Sequence, residues 1–62
     1  MTDDEAIKIA RHQGLELIQR PVGGKWCWGF VRENDELYPA FGERRQAISY
    51  MRDWLRRGHA FA

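Results

Sequence analysis

The stretch Lys25-Trp26-Cys27-Trp28-Gly29-Phe30-Val31 carries a large aromatic at every second position. An extended chain turns alternate side chains to opposite faces, so this period puts Trp26, Trp28 and Phe30 in one row on one face of a β-strand. The segment is therefore expected as the central strand of a small sheet.

Its neighbours read as partner strands. From Leu15 the chain alternates, Leu15 and Leu17 against Glu16 and Ile18, until Pro21 and the pair Gly23-Gly24 end the run. Two glycines between extended stretches signal a hairpin, because both take positive φ without a steric penalty. The middle strand then runs to Arg32, and a turn at Asn34-Asp35 leads into Glu36-Leu37-Tyr38-Pro39-Ala40-Phe41. Pro39 has no N–H to donate, which assigns that last strand to an edge. Two-residue turns set Leu17 and Pro21 beside Phe30 and Trp26, and Phe41 and Pro39 beside Trp28 and Phe30. One face then collects Leu15, Leu17, Trp26, Trp28, Phe30, Leu37 and Phe41. The other holds Ile18, Arg20, Val22, Lys25, Cys27, Gly29, Val31, Tyr38 and Ala40, a mixed surface.

Helices are expected on both flanks. Thr2 and Glu5 have capping-box spacing, Asp3 and Asp4 suit the positive end of a helix dipole, and Gly14 is a natural residue to follow a helix, which predicts a helix over 3–13. Its apolar stripe is thin: Ala6, Ile7 and Ala10. A second helix is predicted from Glu43 to Arg57, closed by Gly58, with Ala47, Ile48, Met51, Trp54 and Leu55 on one stripe. Arg45, Ser49, Arg52 and Arg56 fall in a narrow arc roughly 130° away. The expected fold is one α+β domain over residues 1–62: helix, three-stranded antiparallel sheet in the order 1-2-3, helix, with both helices on one face of the sheet.

A chain of 62 residues buries only about 60% of the surface its unfolded form exposes, which leaves little core for a catalytic cavity. A hydrophobic content of 44% with three tryptophans excludes a disordered tail, and no apolar run is long enough for a membrane span. The single Cys27 cannot form an internal disulfide, and the acidic start Met1-Thr2-Asp3-Asp4-Glu5 has the wrong charge for a signal peptide. A cytoplasmic location is expected. The net charge is +1, small for a protein held to nucleic acid by phosphate neutralisation. It is unevenly spread: residues 1–42 hold five basic against seven acidic residues, and residues 43–62 hold five arginines against two acids.

Few residues suggest chemistry. His12 and His59 lie far apart, with no cluster at metal-ligand spacing. Cys27 sits on a strand with nothing evident to lower its pKa, and Gly23-Gly24 lacks the strand-to-helix context of a phosphate loop. No nucleophile, acid or base stands out, so no catalysis, metal, cofactor or small-molecule substrate is expected. The aromatic row is expected to be the core beneath the second helix; the alternative is an exposed platform on which bases stack. The arginine arc is either a recognition surface or an ordinary solvated helix face. Eight arginines against two lysines add weight to recognition, since guanidinium binds bidentately. On the mixed face, Ile18, Val31 and Tyr38 ringed by Arg20, Lys25, Glu33 and Glu36 have the pattern of an interface core with a polar rim.

Three resemblances bear on this. Gly24-Lys25-Trp26, Phe41, and Gln46-Ala47 through Tyr50 resemble the three-stranded-sheet-plus-helix pattern of AP2 and phage-integrase N-terminal DNA-binding domains; that resemblance implies groove contacts from Arg20, Lys25 and Arg32. The element order is similar to that of the double-stranded RNA-binding domain, a shared topology. In type, a short cofactor-free chain with a charged surface and one mixed face resembles the accessory proteins of phages and mobile elements, anti-CRISPR inhibitors among them, which implies action by occupying a surface of a host complex.

The expectation is a non-enzymatic binding protein. Its partner is expected to be a protein, as in an inhibitor docked on a nucleic-acid-handling complex, met by Arg45, Arg52, Arg56 or the sheet face around Tyr38. DNA or RNA binding through the same arginines with Arg20 and Lys25 is the alternative.

Overall fold

The structure is a computed structural model and describes residues 1–33, 35–37 and 39–58. Four elements follow one another: α1 (Asp3–His12), β1 (Glu16–Val22), β2 (Lys25–Val31) and α2 (Arg44–Arg56).

Local chemistry explains where each begins and ends. At the start of α1, Thr2 Oγ1 accepts from the Glu5 N–H at 3.2 Å while Glu5 Oε1 accepts from the Thr2 N–H at 3.4 Å. This reciprocal pair satisfies two donors that a helix N-terminus leaves open. At its other end Gly14 has φ +82°, and the N–H groups of Gly14 and Leu15 donate to the carbonyls of Arg11 and Ala10. That is a Schellman closure, and it aims the chain into β1. Gly23 and Gly24, with φ of 59° and 83°, form the two-residue turn between the strands, as positive φ at both positions requires. At α2, Gln46 Oε1 accepts from the Glu43 N–H at 3.2 Å.

β1 and β2 pair antiparallel from Glu16↔Val31 to Val22↔Lys25. Leu17 faces Phe30 and Pro21 faces Trp26, the register expected from the sequence. Residues of both helices pack on this face. Ala10, Leu15, Phe30, Ala47, Ile48 and Met51 form the buried centre, with Ile7, Leu17, Trp28, Phe41, Trp54 and Leu55 around it.

Three expectations are corrected. The described residues form no third strand; the described part of the segment expected to supply it pairs its backbone with β2 through one bridge, Trp28↔Phe41. There the Trp28 N–H donates to the Phe41 carbonyl at 2.6 Å and the Phe41 N–H to the Trp28 carbonyl at 2.8 Å. Phe41 thus stands beside Trp28 as expected, but no ladder extends from it among the described residues.

The reason lies in Leu37, the second correction. A regular strand would hold Leu37 and Phe41 on one face. Instead Phe41 joins the helix-covered core, and Leu37, 7% exposed, lies on the opposite face against Gly29. Burying the two on different faces is incompatible with unbroken strand geometry.

Third, the aromatic row is not uniformly core. Burial along β2 rises from the hairpin toward Val31: Phe30 is buried, Trp28 half-buried, and Trp26 64% exposed. The helices cover the Phe30 end and leave the hairpin end open.

Candidate functional site

The arginine arc lies on the outer face of α2. With Ala47, Ile48 and Met51 buried beneath, the helical period turns Arg45, Ser49, Arg52 and Arg56 toward solvent, and all four are exposed. These arginines do not stand alone. Arg45 Nε pairs with Glu43 at 2.7 Å, Arg52 Nη1 with Asp3 at 3.2 Å, and Arg56 Nη2 with Asp53 at 2.8 Å; Arg57 shares Asp53 at 2.8 Å. The surface is therefore a mosaic of alternating sign rather than a positive stripe. Of these four pairs, Arg52–Asp3 joins two elements, tying α2 to the first turn of α1.

Two shallow grooves share this face. One is lined by Met1, Ser49, Tyr50, Arg52, Asp53 and Arg56, the other by Asp3, Phe41, Arg45, Gln46, Ser49 and Arg52. Ser49 and Arg52 belong to both, so the surface is continuous. At its margin Tyr50 is 39% exposed and is the middle ring of an aromatic row: its ring centroid lies 5.3 Å from Phe41 and 6.1 Å from Trp54. Centroid separations of this size favour ring pairing and hold the phenol in place. The sequence pattern includes Tyr50 in the AP2-like resemblance but does not mark it as a site residue; the available signal is its position on the helical wheel between the apolar stripe and the arginine arc.

Other expected residues lie elsewhere. Arg20, half-buried, is on the sheet face opposite the core, where its Nη1 donates to the Asp35 carbonyl at 2.9 Å. Lys25 is exposed on the same face, beside the turn and opposite Val22. Neither joins the α2 surface, and Tyr38 lies outside the described residues. The mixed face is less open than expected, because Leu37 covers Gly29 and Val31 is buried. What remains is a shallow groove with Ile18 and Val31 in its lining and Arg11, Arg20 and Arg32 among its polar residues, with Glu16 and Glu33. Arg32, named with Arg20 and Lys25 by the resemblance to DNA-binding domains, is half-buried in that groove. It lies just past the end of β2, where alternation no longer fixes the side chain's direction.

Among the described residues no group of three or more His, Cys, Asp or Glu could hold a metal ion, and no helix is long and apolar enough to cross a membrane. Cys27 is a free, half-buried thiol. Chemically, the α2 face offers guanidinium forks, carboxylates, a hydroxyl and a fixed phenol: groups that recognise a surface by hydrogen bonds and charge. Comparison with known proteins gives no family model, no curated protein and no solved structure that matches the chain, so its role has to be read from its own surfaces.

Proposed function

We propose that this chain is a non-enzymatic binding protein that docks on a protein partner through the outer face of α2. In its most specific form the partner is a nucleic-acid-handling host complex, which the chain inhibits by occupying a surface. The observation that carries the reading is the charge mosaic: Arg45, Arg52 and Arg56 are each matched to Glu43, Asp3 or Asp53 within 2.7–3.2 Å on an exposed surface edged by Tyr50. Patterned charge of both signs selects a partner of complementary pattern and fixes its register, with an aromatic as anchor. On a polyphosphate the same three acids would meet like charge.

DNA or RNA binding is the second reading. It draws on Arg20 and Lys25, which share one sheet face, and on Arg11 and Arg32, which line one groove with Arg20 and form no ion pair with a described residue.

One experiment separates the two. Fluorescence anisotropy with duplex DNA, duplex RNA and single strands is followed from low to physiological salt, and host proteins are captured in parallel on wild-type chain and on the triple variant Arg45→Glu, Arg52→Glu, Arg56→Glu. The proposal expects a protein retained by wild type and lost on the triple variant, with no nucleic-acid binding at physiological salt. Nucleic-acid binding that persists there, weakening log-linearly with salt as counterions are released, would replace it with the second reading.

A further inference from the structure

β1 lies at the edge of the sheet, and its open side can be worked out residue by residue. Trp28 uses both its N–H and its carbonyl on Phe41, outside the hairpin. In an antiparallel pair, residues alternate between bonding across the ladder and pointing away from it. Gln19, paired with Trp28, therefore points its backbone groups away from β2, and so do Leu17 and Pro21 two residues to either side. No described residue bonds to these outward groups of Leu17 and Gln19. An edge with free N–H and C=O groups is a template for another strand.

We propose that the occupant is a second copy of this chain, paired antiparallel β1 to β1 about a two-fold axis at Ile18, so that two hairpins form one four-stranded sheet. The register follows from the side chains. With Ile18 facing Ile18 of the second copy, Leu17 faces Gln19, and both are outward-pointing residues. Each Leu17–Gln19 pair forms two hydrogen bonds: the Leu17 N–H donates to the Gln19 carbonyl and the Gln19 N–H to the Leu17 carbonyl. The same register sets Glu16 of each copy against Arg20 of the other. Among the described residues Glu16 forms no ion pair, and the guanidinium of Arg20 meets the Asp35 carbonyl alone.

Neighbouring registers lack this match. Centring the axis on Leu17 sets Glu16 against Ile18. Centring it on Gln19 sets Leu17 against Pro21, which has no N–H to donate. Charge complementarity, hydrogen-bond parity and the position of Pro21 select one arrangement, and it is self-complementary as a two-fold interface must be. Ile18 and Leu17, both half-buried, gain cover.

The test is sedimentation equilibrium from micromolar to near-millimolar protein, with circular dichroism confirming that each variant folds. Wild type is expected to rise with concentration from the monomer mass toward twice that value, with amide exchange at Gln19 slowing in parallel. Glu16→Arg places like charges across the axis and is expected to abolish association; adding Arg20→Glu restores opposite charges and is expected to recover it. Gln19→Pro removes an N–H that plays no part in the β1–β2 ladder, so it keeps the hairpin and is expected to lose the dimer. Three results overturn the proposal: a monomer at every concentration, a dimer indifferent to both Glu16→Arg and Gln19→Pro, or a charge swap that does not restore association.

Discussion

Leu37 occupies the space that a side chain at position 29 would need. A Cβ built on Gly29 would lie 2.5 Å from Leu37 Cδ1 and 2.8 Å from the Pro39 carbonyl oxygen. Gly29→Ala is expected to destabilise the fold by about 1–3 kcal/mol, the usual cost of overpacking, seen as a lower urea midpoint. Combined with Leu37→Ala, the loss should be smaller than the sum of the two single losses, because the variants share one contact. Some of the loss remains, since the Pro39 carbonyl belongs to the backbone and cannot be trimmed.

The gradient along β2 separates two aromatics that the sequence places in the same row. Phe30→Ala is expected to cost about 3–5 kcal/mol. Trp26→Ala should change stability by no more than about 0.5 kcal/mol, because its ring is already 64% exposed. Equal losses in chemical denaturation would show that the hairpin end is covered in solution.

At the start of α1, Thr2→Ala removes the hydroxyl that accepts from the Glu5 N–H. The expected cost is about 1 kcal/mol. Thr2→Ser keeps the oxygen and should stay close to wild type in the same thermal melt.

The arginines of α2 should matter little to folding. Their ion pairs are exposed, and such pairs are each worth about 0–1 kcal/mol. Arg45→Ala, Arg52→Ala and Arg56→Ala are each expected to lie within that range by urea denaturation, with Arg52→Ala the largest because it alone links α2 to α1. Losses well above it would recast the arc as a structural element.

How much of this was legible depends on the range of the physics involved. Thr2, Glu5 and Gly14 bound α1, and Gly23-Gly24 turn the hairpin, through groups no more than a few residues apart, so spacing alone identified them. The stripe from Ala47 to Leu55 likewise stated which side of α2 is buried. The α2 part of the candidate surface could be read for the same reason: Arg45, Ser49, Arg52 and Arg56 share a face by helical period. The pairs of Arg45 with Glu43 and of Arg56 with Asp53 are as local, but the neutralisation of Arg52 could not be read, because Asp3 meets it across 49 positions.

The sequence by itself determined the two helices, the β1–β2 register and the α+β class, since each follows from periodicity, turn chemistry and capping between near neighbours. Tertiary structure alone decided that the last expected strand shrinks to one bridge, that Leu37 crosses to Gly29, and that Trp26 stays in solvent. Those outcomes turn on which faces have room and how far the helices reach along the sheet. Such competition for space is settled only when distant segments pack together.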